Sequence, residues 1–147
     1  MLNFSTEEKI FSEGWGLICA IDEAGRGPLA GPVVAAAVLV RPDFIFVPDK
    51  FKLIRDSKKL SETKREEAYA LIMSEFPEVG VGWCDHRTID RINILQATFL
   101  AMKKAVSILT HNIERETQGG VRFVIRDMRK IILVDGNKKI PNLSQEQ

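Results

Sequence analysis

Two short, almost unbroken apolar runs, residues 16–21 (GLICAI) and 131–134 (IILV), each stop at an aspartate, Asp22 and Asp135. Apolar runs of that length without polar alternation suit strands buried on both faces, so the chain must build a sheet with helices packed against it. Residues 33–40 (VVAAAVLV) follow the turn-rich AGRGPLAGP and read as a strand paired beside the first, and residues 79–84 (VGVGWC) read as a third. Between them Ser61 is placed to cap a helix, with Glu62 at its positive end. Ala68, Leu71, Ile72 and Phe76 recur at helical spacing until Pro77. Ile92, Leu95, Phe99, Met102, Val106 and Leu109 alternate steps of three and four, which predicts a helix with one apolar face on the sheet. Residues 111–120 are polar and end in Gly119-Gly120, so they read as a loop. Val121, Phe123 and Ile125, interleaved with Arg122 and Arg126, suggest an extended segment. The order of elements predicts an α/β protein, a mixed sheet covered by helices.

A chain of 147 residues with 45% hydrophobic and 28% charged residues suits one globular domain, spanning 1–147, rather than two. The longest apolar stretch contains Gly31 and Pro32 and falls short of a membrane span, and the polar, acidic N-terminus lacks the pattern of a secretory signal. Cys19 and Cys84 lie in strand-like runs and read as buried reduced thiols, which fits a cytoplasmic protein. The net charge of +1 does not announce a nucleic-acid binder, yet basic residues cluster at 50–59, 122–130 and 138–139. Clustering, not the sum, governs affinity for phosphates, although each cluster alone is more often a solvated face.

In open α/β sheets functional groups collect beyond the carboxyl ends of the strands. If the runs ending before Asp22 and Asp135 are parallel neighbours, their carboxylates emerge side by side with Glu23 next to them. Crowded carboxylates at the edge of an apolar core repel and lose solvation, and a divalent cation with a taste for oxygen ligands, Mg2+ or Mn2+, relieves both penalties. On spacing alone the plainer reading comes first: Asp-Gly after a strand is usually a turn, and Asp-Glu before Ala-Gly is often a loop. His86 and His111 read as ordinary surface or loop residues.

Residues 20–40, AIDEAGRGPLAGPVVAAAVLV, resemble the ribonuclease HII family, and three more blocks follow in that family's order: RDSKKLSETKRE at 55–66, IDRINILQATFLAMKKAV at 89–106 and ILVDGN at 132–137. The resemblance implies a ribonuclease H-like fold, with a mixed sheet of the five-stranded type flanked by helices. It implies an endonuclease that cuts the RNA strand of RNA–DNA hybrids, or DNA at embedded ribonucleotides, through two metal ions and a metal-activated water. By position, Asp22, Glu23 and Asp135 resemble the family's catalytic, metal-binding carboxylates. Gly25, Arg26 and Gly27 resemble the segment that reads the sugar at the cleavage site, where the 2′-OH separates RNA from DNA. Their other reading, a tight turn between strands, is compatible with that role. Ser57 and Lys58 resemble a phosphate-contacting loop, whose contacts position the duplex without reading sequence. Asn93 has an equally good reading as structural support.

Two departures from the family are visible. Residues 107–130 make a longer bridge to the DGN block, and the family's later segment, with a fourth acid, a small-residue helix and a tyrosine, is missing after Gln147. The expectation is a domain incomplete at its C-terminus, inactive or severely impaired, with one sheet face left apolar and exposed; a complete form would be a monomer without membrane partners. Glu146 is best read as a solvated tail residue. A glycine-loop nucleotide binder fits less well, because GRGPLAG matches neither GxGxxG nor a phosphate loop ending in Gly-Lys-Ser/Thr. A catalytically silent hybrid-binding module is the remaining alternative, and the retained acids count against it.

Overall fold

The computed structural model describes residues 3–76, 78–116, 129–134, 140–141 and 143. Four strands among them form one mixed sheet in the order β3-β2-β1-β4: β1 is Leu17–Ala24, β2 Val33–Val40, β3 Val79–Cys84 and β4 Lys130–Val134. β2 runs antiparallel to both β1 and β3, while β4 lies parallel to β1, with Ile18 opposite Ile131 and Ile21 opposite Val134. The two acid-ending apolar runs are therefore the parallel neighbours that the sequence suggests. The described residues supply four strands of the expected five-stranded type of sheet.

One face of the sheet is closed by α4 (Ile94–Glu116), preceded by the short α3 (His86–Ile92). Leu17, Cys19 and Ile21 of β1 and Val33, Ala35, Ala37 and Leu39 of β2 are buried toward it, the alternation a strand demands. They meet Phe99, Met102, Val106 and Leu109 of the predicted apolar stripe. A second stripe, Ala97, Ala101 and Ala105, is buried completely and lets the helix lie very close to the sheet. Gly80 and Gly82 complete that contact. A Cβ on Gly82 would stand 2.5 Å from the Ala105 amide nitrogen and 2.7 Å from Lys104 Cβ, and would strike the Ala101 carbonyl. Real side chains do not approach so closely, so the two glycines are demanded by packing.

The other face is covered at one end by α1 (Ser5–Ser12), whose Ile10 packs on Ile18 and Val40. Phe4, Phe44, Phe46, Phe51 and Phe76 stack on one another across this layer, at centroid separations of 4.7 to 6.2 Å. Phe76 ends α2 (Glu62–Glu75), which starts at the predicted cap: Ser61 Oγ accepts from the Lys64 amide. Further along the same face Val81 and Trp83 of β3 are 48% and 57% exposed. Both cysteines are free and buried, as expected.

Three local expectations need correction. The chain stays helical through 111–116 instead of entering a loop, because α4 continues the apolar period of the preceding turns. His111 is thus an exposed helical residue, and His86 opens α3. The helix predicted to start near Ile92 is two helices, broken where Asn93 takes φ +67° and its side chain caps the Gln96 amide at 3.1 Å. Residues 5–12, given no structure from the sequence, form α1. The predicted extended segment at 121–126 lies outside the described residues, as do Pro77 and residues 117–120. Among the described residues no helix is long and apolar enough to cross a membrane.

Candidate active site

β1 does not stop at Ile21. It pairs with β2 as far as Ala24, so Asp22 and Glu23 lie on the strand itself, opposite Ala36 and Ala35. Pairing with β4, by contrast, is described only as far as Ile21 and Val134. The sequence misplaced this boundary because charged residues inside a strand break the apolar pattern, while pairing to an already formed β2 compensates the backbone regardless of side chain.

Successive strand residues face opposite sides, so Asp22 points away from α4 and Glu23 toward its end of the sheet. Asp22 is exposed; its Oδ1 accepts the Glu23 amide at 2.7 Å. Glu23, with its side chain 13% exposed, is held by Arg26, whose Nη1 donates to Oε1 at 2.8 Å. That ion pair was not foreseen. It ties the first turn of the connecting loop to the strand that carries the acids. Each carboxylate thus spends one oxygen on the chain and keeps a second for a ligand.

The loop of residues 25–32 turns back sharply. Gly25 has φ +96°, and a Cβ there would collide with the Pro32 carbonyl and come within 3.2 Å of Val33 Cα. Only glycine meets both conditions. Gly25, Arg26 and Gly27 open a connection of bends over residues 25–32 rather than a tight turn, and it presents Arg26 and Gly27 at the surface within a few residues of Asp22.

Ser57 and Lys58 are not in an open loop. Residues Ser57–Lys59 form one turn of 3-10 helix, capped by Asp56, whose Oδ1 accepts the Lys58 amide at 3.1 Å. The Ser57, Lys58 and Lys59 side chains remain exposed. Asp135 lies outside the described residues, and among those residues no three metal-binding side chains are gathered. Asp22 and Glu23 fit a hard divalent cation in kind, as oxygen donors with free lone pairs, with waters and substrate phosphate oxygens to complete its shell.

Comparison with known proteins bears on this arrangement. Residues 19–142 match the family model described as ribonuclease HII. A ribonuclease HII of Caldanaerobacter subterraneus subsp. tengcongensis is 44% identical over 133 residues, covering 90% of this chain and 53% of that protein. One of Geotalea uraniireducens is 54% identical over 103 residues, covering 70% of this chain and 45% of that protein. The chain spans about half the length of the curated relatives it matches. Among solved structures, that of Bst-RNase HIII in complex with Mn2+ superposes with a TM-score of 0.58, covering 86% of this chain and 38% of that one at 21% identity, a likeness of fold. The expected ribonuclease H-like architecture is thereby met. With the family model matching most of its length, the chain belongs to the ribonuclease HII family.

Proposed function

We propose that this protein is an endoribonuclease that hydrolyses the RNA strand of RNA–DNA hybrids and cuts DNA at embedded ribonucleotides, with Asp22, Glu23 and Asp135 as its catalytic carboxylates. One observation carries the reading: in the parallel register of β1 and β4, Val134, the residue before Asp135, stands opposite Ile21, the residue before Asp22. Family membership supports the reaction class, and the Mn2+ complex of Bst-RNase HIII supports a divalent ion, Mg2+ or Mn2+, in this chain. Residues 1–147 then belong to one ribonuclease H-like catalytic domain, and a cytoplasmic location is in keeping with two free buried thiols.

In this reading each residue has a task of its own. Asp22 and Glu23 hold the ion from a paired strand, which fixes their backbone before any ligand arrives. Arg26 orients Glu23 by occupying Oε1 and directs the other oxygen outward. The backbone of Gly25, Arg26 and Gly27 reaches the ribose, since a connection of bends exposes its amides and carbonyls to the 2′-OH. Ser57 and Lys58 take a backbone phosphate and set the position of the duplex. A bound divalent ion supplies charge neutralisation at the scissile phosphate and a water acidic enough to attack it.

The test is Mn2+ titration by calorimetry together with cleavage of a labelled hybrid. Wild-type protein is expected to bind Mn2+, and Asp22→Asn and Asp135→Asn are each expected to lose it while keeping their circular dichroism. Equal Mn2+ affinity in wild type and Asp135→Asn, or metal-independent cleavage, would sink the assignment.

A further inference from the structure

A groove of about 570 Å³ opens on the segment between β2 and the 3-10 turn, lined by Pro48, Asp49, Phe51, Lys52, Ile54, Arg55 and Asp56. Its floor is Phe51, 2% exposed, stacked on Phe46 and in tilted ring contact with Phe44 and Phe76. That floor is rigid, because Phe44 and Phe76 pack on the Ile10, Ile18 and Val40 cluster. Its rim is charged, and the charges are unevenly used. Lys50 is taken by Glu75 at 2.5 Å, and Asp56 is spent capping the 3-10 turn. Lys52 meets Asp49 at 3.2 Å, but with side chains 72% and 92% exposed, a pairing that an incoming anion displaces at little cost. Arg55 has no carboxylate partner among the described residues.

We propose that Lys52 and Arg55 form a second seat for a nucleic-acid backbone, taking a phosphodiester of the duplex outside the cleavage position. This rests on the nuclease reading above and extends it to a surface that the acids do not reach. Phe51 reaches the sheet through Phe44 and Phe76, which pack on the Ile10, Ile18 and Val40 cluster, and Ile18 stands four positions before Asp22 on β1. The chemistry of the rim suits a phosphodiester: Arg offers a planar fork of donors, Lys a point charge, and the apolar floor excludes water from beneath them. The partner is the sugar-phosphate backbone itself, so the seat carries no preference for RNA over DNA.

The experiment measures binding of the protein to a labelled RNA–DNA hybrid and to a duplex DNA of the same sequence, by fluorescence anisotropy over a salt series without divalent metal. Each phosphate contact contributes close to one unit to the slope of log affinity against log salt. The double variant Lys52→Ala/Arg55→Ala is expected to flatten that slope by roughly two units on both duplexes, and Lys52→Arg/Arg55→Lys to restore it. An unchanged slope in the alanine variant, or a wild type that binds neither duplex, overturns the proposal. The two readings fail separately. Hybrids cleaved normally with an unchanged slope refute only the groove; a two-unit loss on both duplexes, with equal Mn2+ affinity in wild type and Asp135→Asn, refutes only the nuclease.

Discussion

Gly82→Ala should destabilise the protein strongly for a single added methyl. The added Cβ would lie 2.5 Å from the Ala105 nitrogen and 2.7 Å from Lys104 Cβ, and against the Ala101 carbonyl. Normal contact requires roughly 3.5 Å, so α4 must retreat by about 1 Å over this turn. Two of the three obstacles are helix backbone, which has no rotamer to change. Retreat opens the interface at Ala97, Ala101 and Ala105, where every side chain is completely buried. Overpacking of a core costs about 1–3 kcal/mol, and a collision with backbone belongs at the upper end. About 3 kcal/mol is a large part of the 5–15 kcal/mol expected for a domain. In a chain of this size it lowers Tm by about 6–12 °C. Thermal and urea melts of wild type and variant, followed by circular dichroism, measure it. A Tm within about 2 °C of wild type would show that α4 does not rest on β3 through these glycines.

Glu78 is 5% exposed and paired with Arg41, whose Nε is buried without a partner among the described residues. Glu78→Ala should cost about 2 kcal/mol by urea midpoint, below the cost of a fully buried pair because the Arg41 side chain is 37% exposed. Glu78→Gln should recover part of it, and a neutral Glu78→Ala would contradict the pairing. Burial pushes the Cys19 thiol from 9.0 up to about 12. Below pH 9 the thiol is neutral in folded and unfolded chains alike and its contribution is complete. Between pH 9 and 12 the unfolded chain ionises first, so stability falls by about 1.4 kcal/mol per pH unit. Cys19→Ala should remove that part of the alkaline slope, and identical slopes would refute it. The Asp85 carboxyl is held below the ordinary range by its side-chain bond with Thr88, whose amide donates to it at 2.9 Å, with His86 and Arg87 adding to the effect. Its contribution is present above the usual carboxylate range and disappears as pH falls through the lowered value, so Asp85→Ala should flatten the acid limb of a stability–pH curve.

The sequence by itself determined the fold class, the four described strands and the main helices, because each rests on local pattern, while the candidate acids came from the family resemblance. The apolar period along the chain decides what a segment buries, whatever it meets. The AIDEAGRG segment and the blocks that follow it in order named the family before any coordinate. Tertiary structure alone decided the rest. That β1 carries Asp22 and Glu23 within a paired strand follows from the presence of β2 beside it. The break at Asn93 depends on how α3 and α4 meet the sheet. The Glu23–Arg26 pair, the demand for glycine at 80 and 82, and the groove over Phe51 arise between segments distant along the chain or folded back on themselves. Periodicity records only which way a side chain faces; which atom it meets there, and how closely, is fixed by the packing of whole elements.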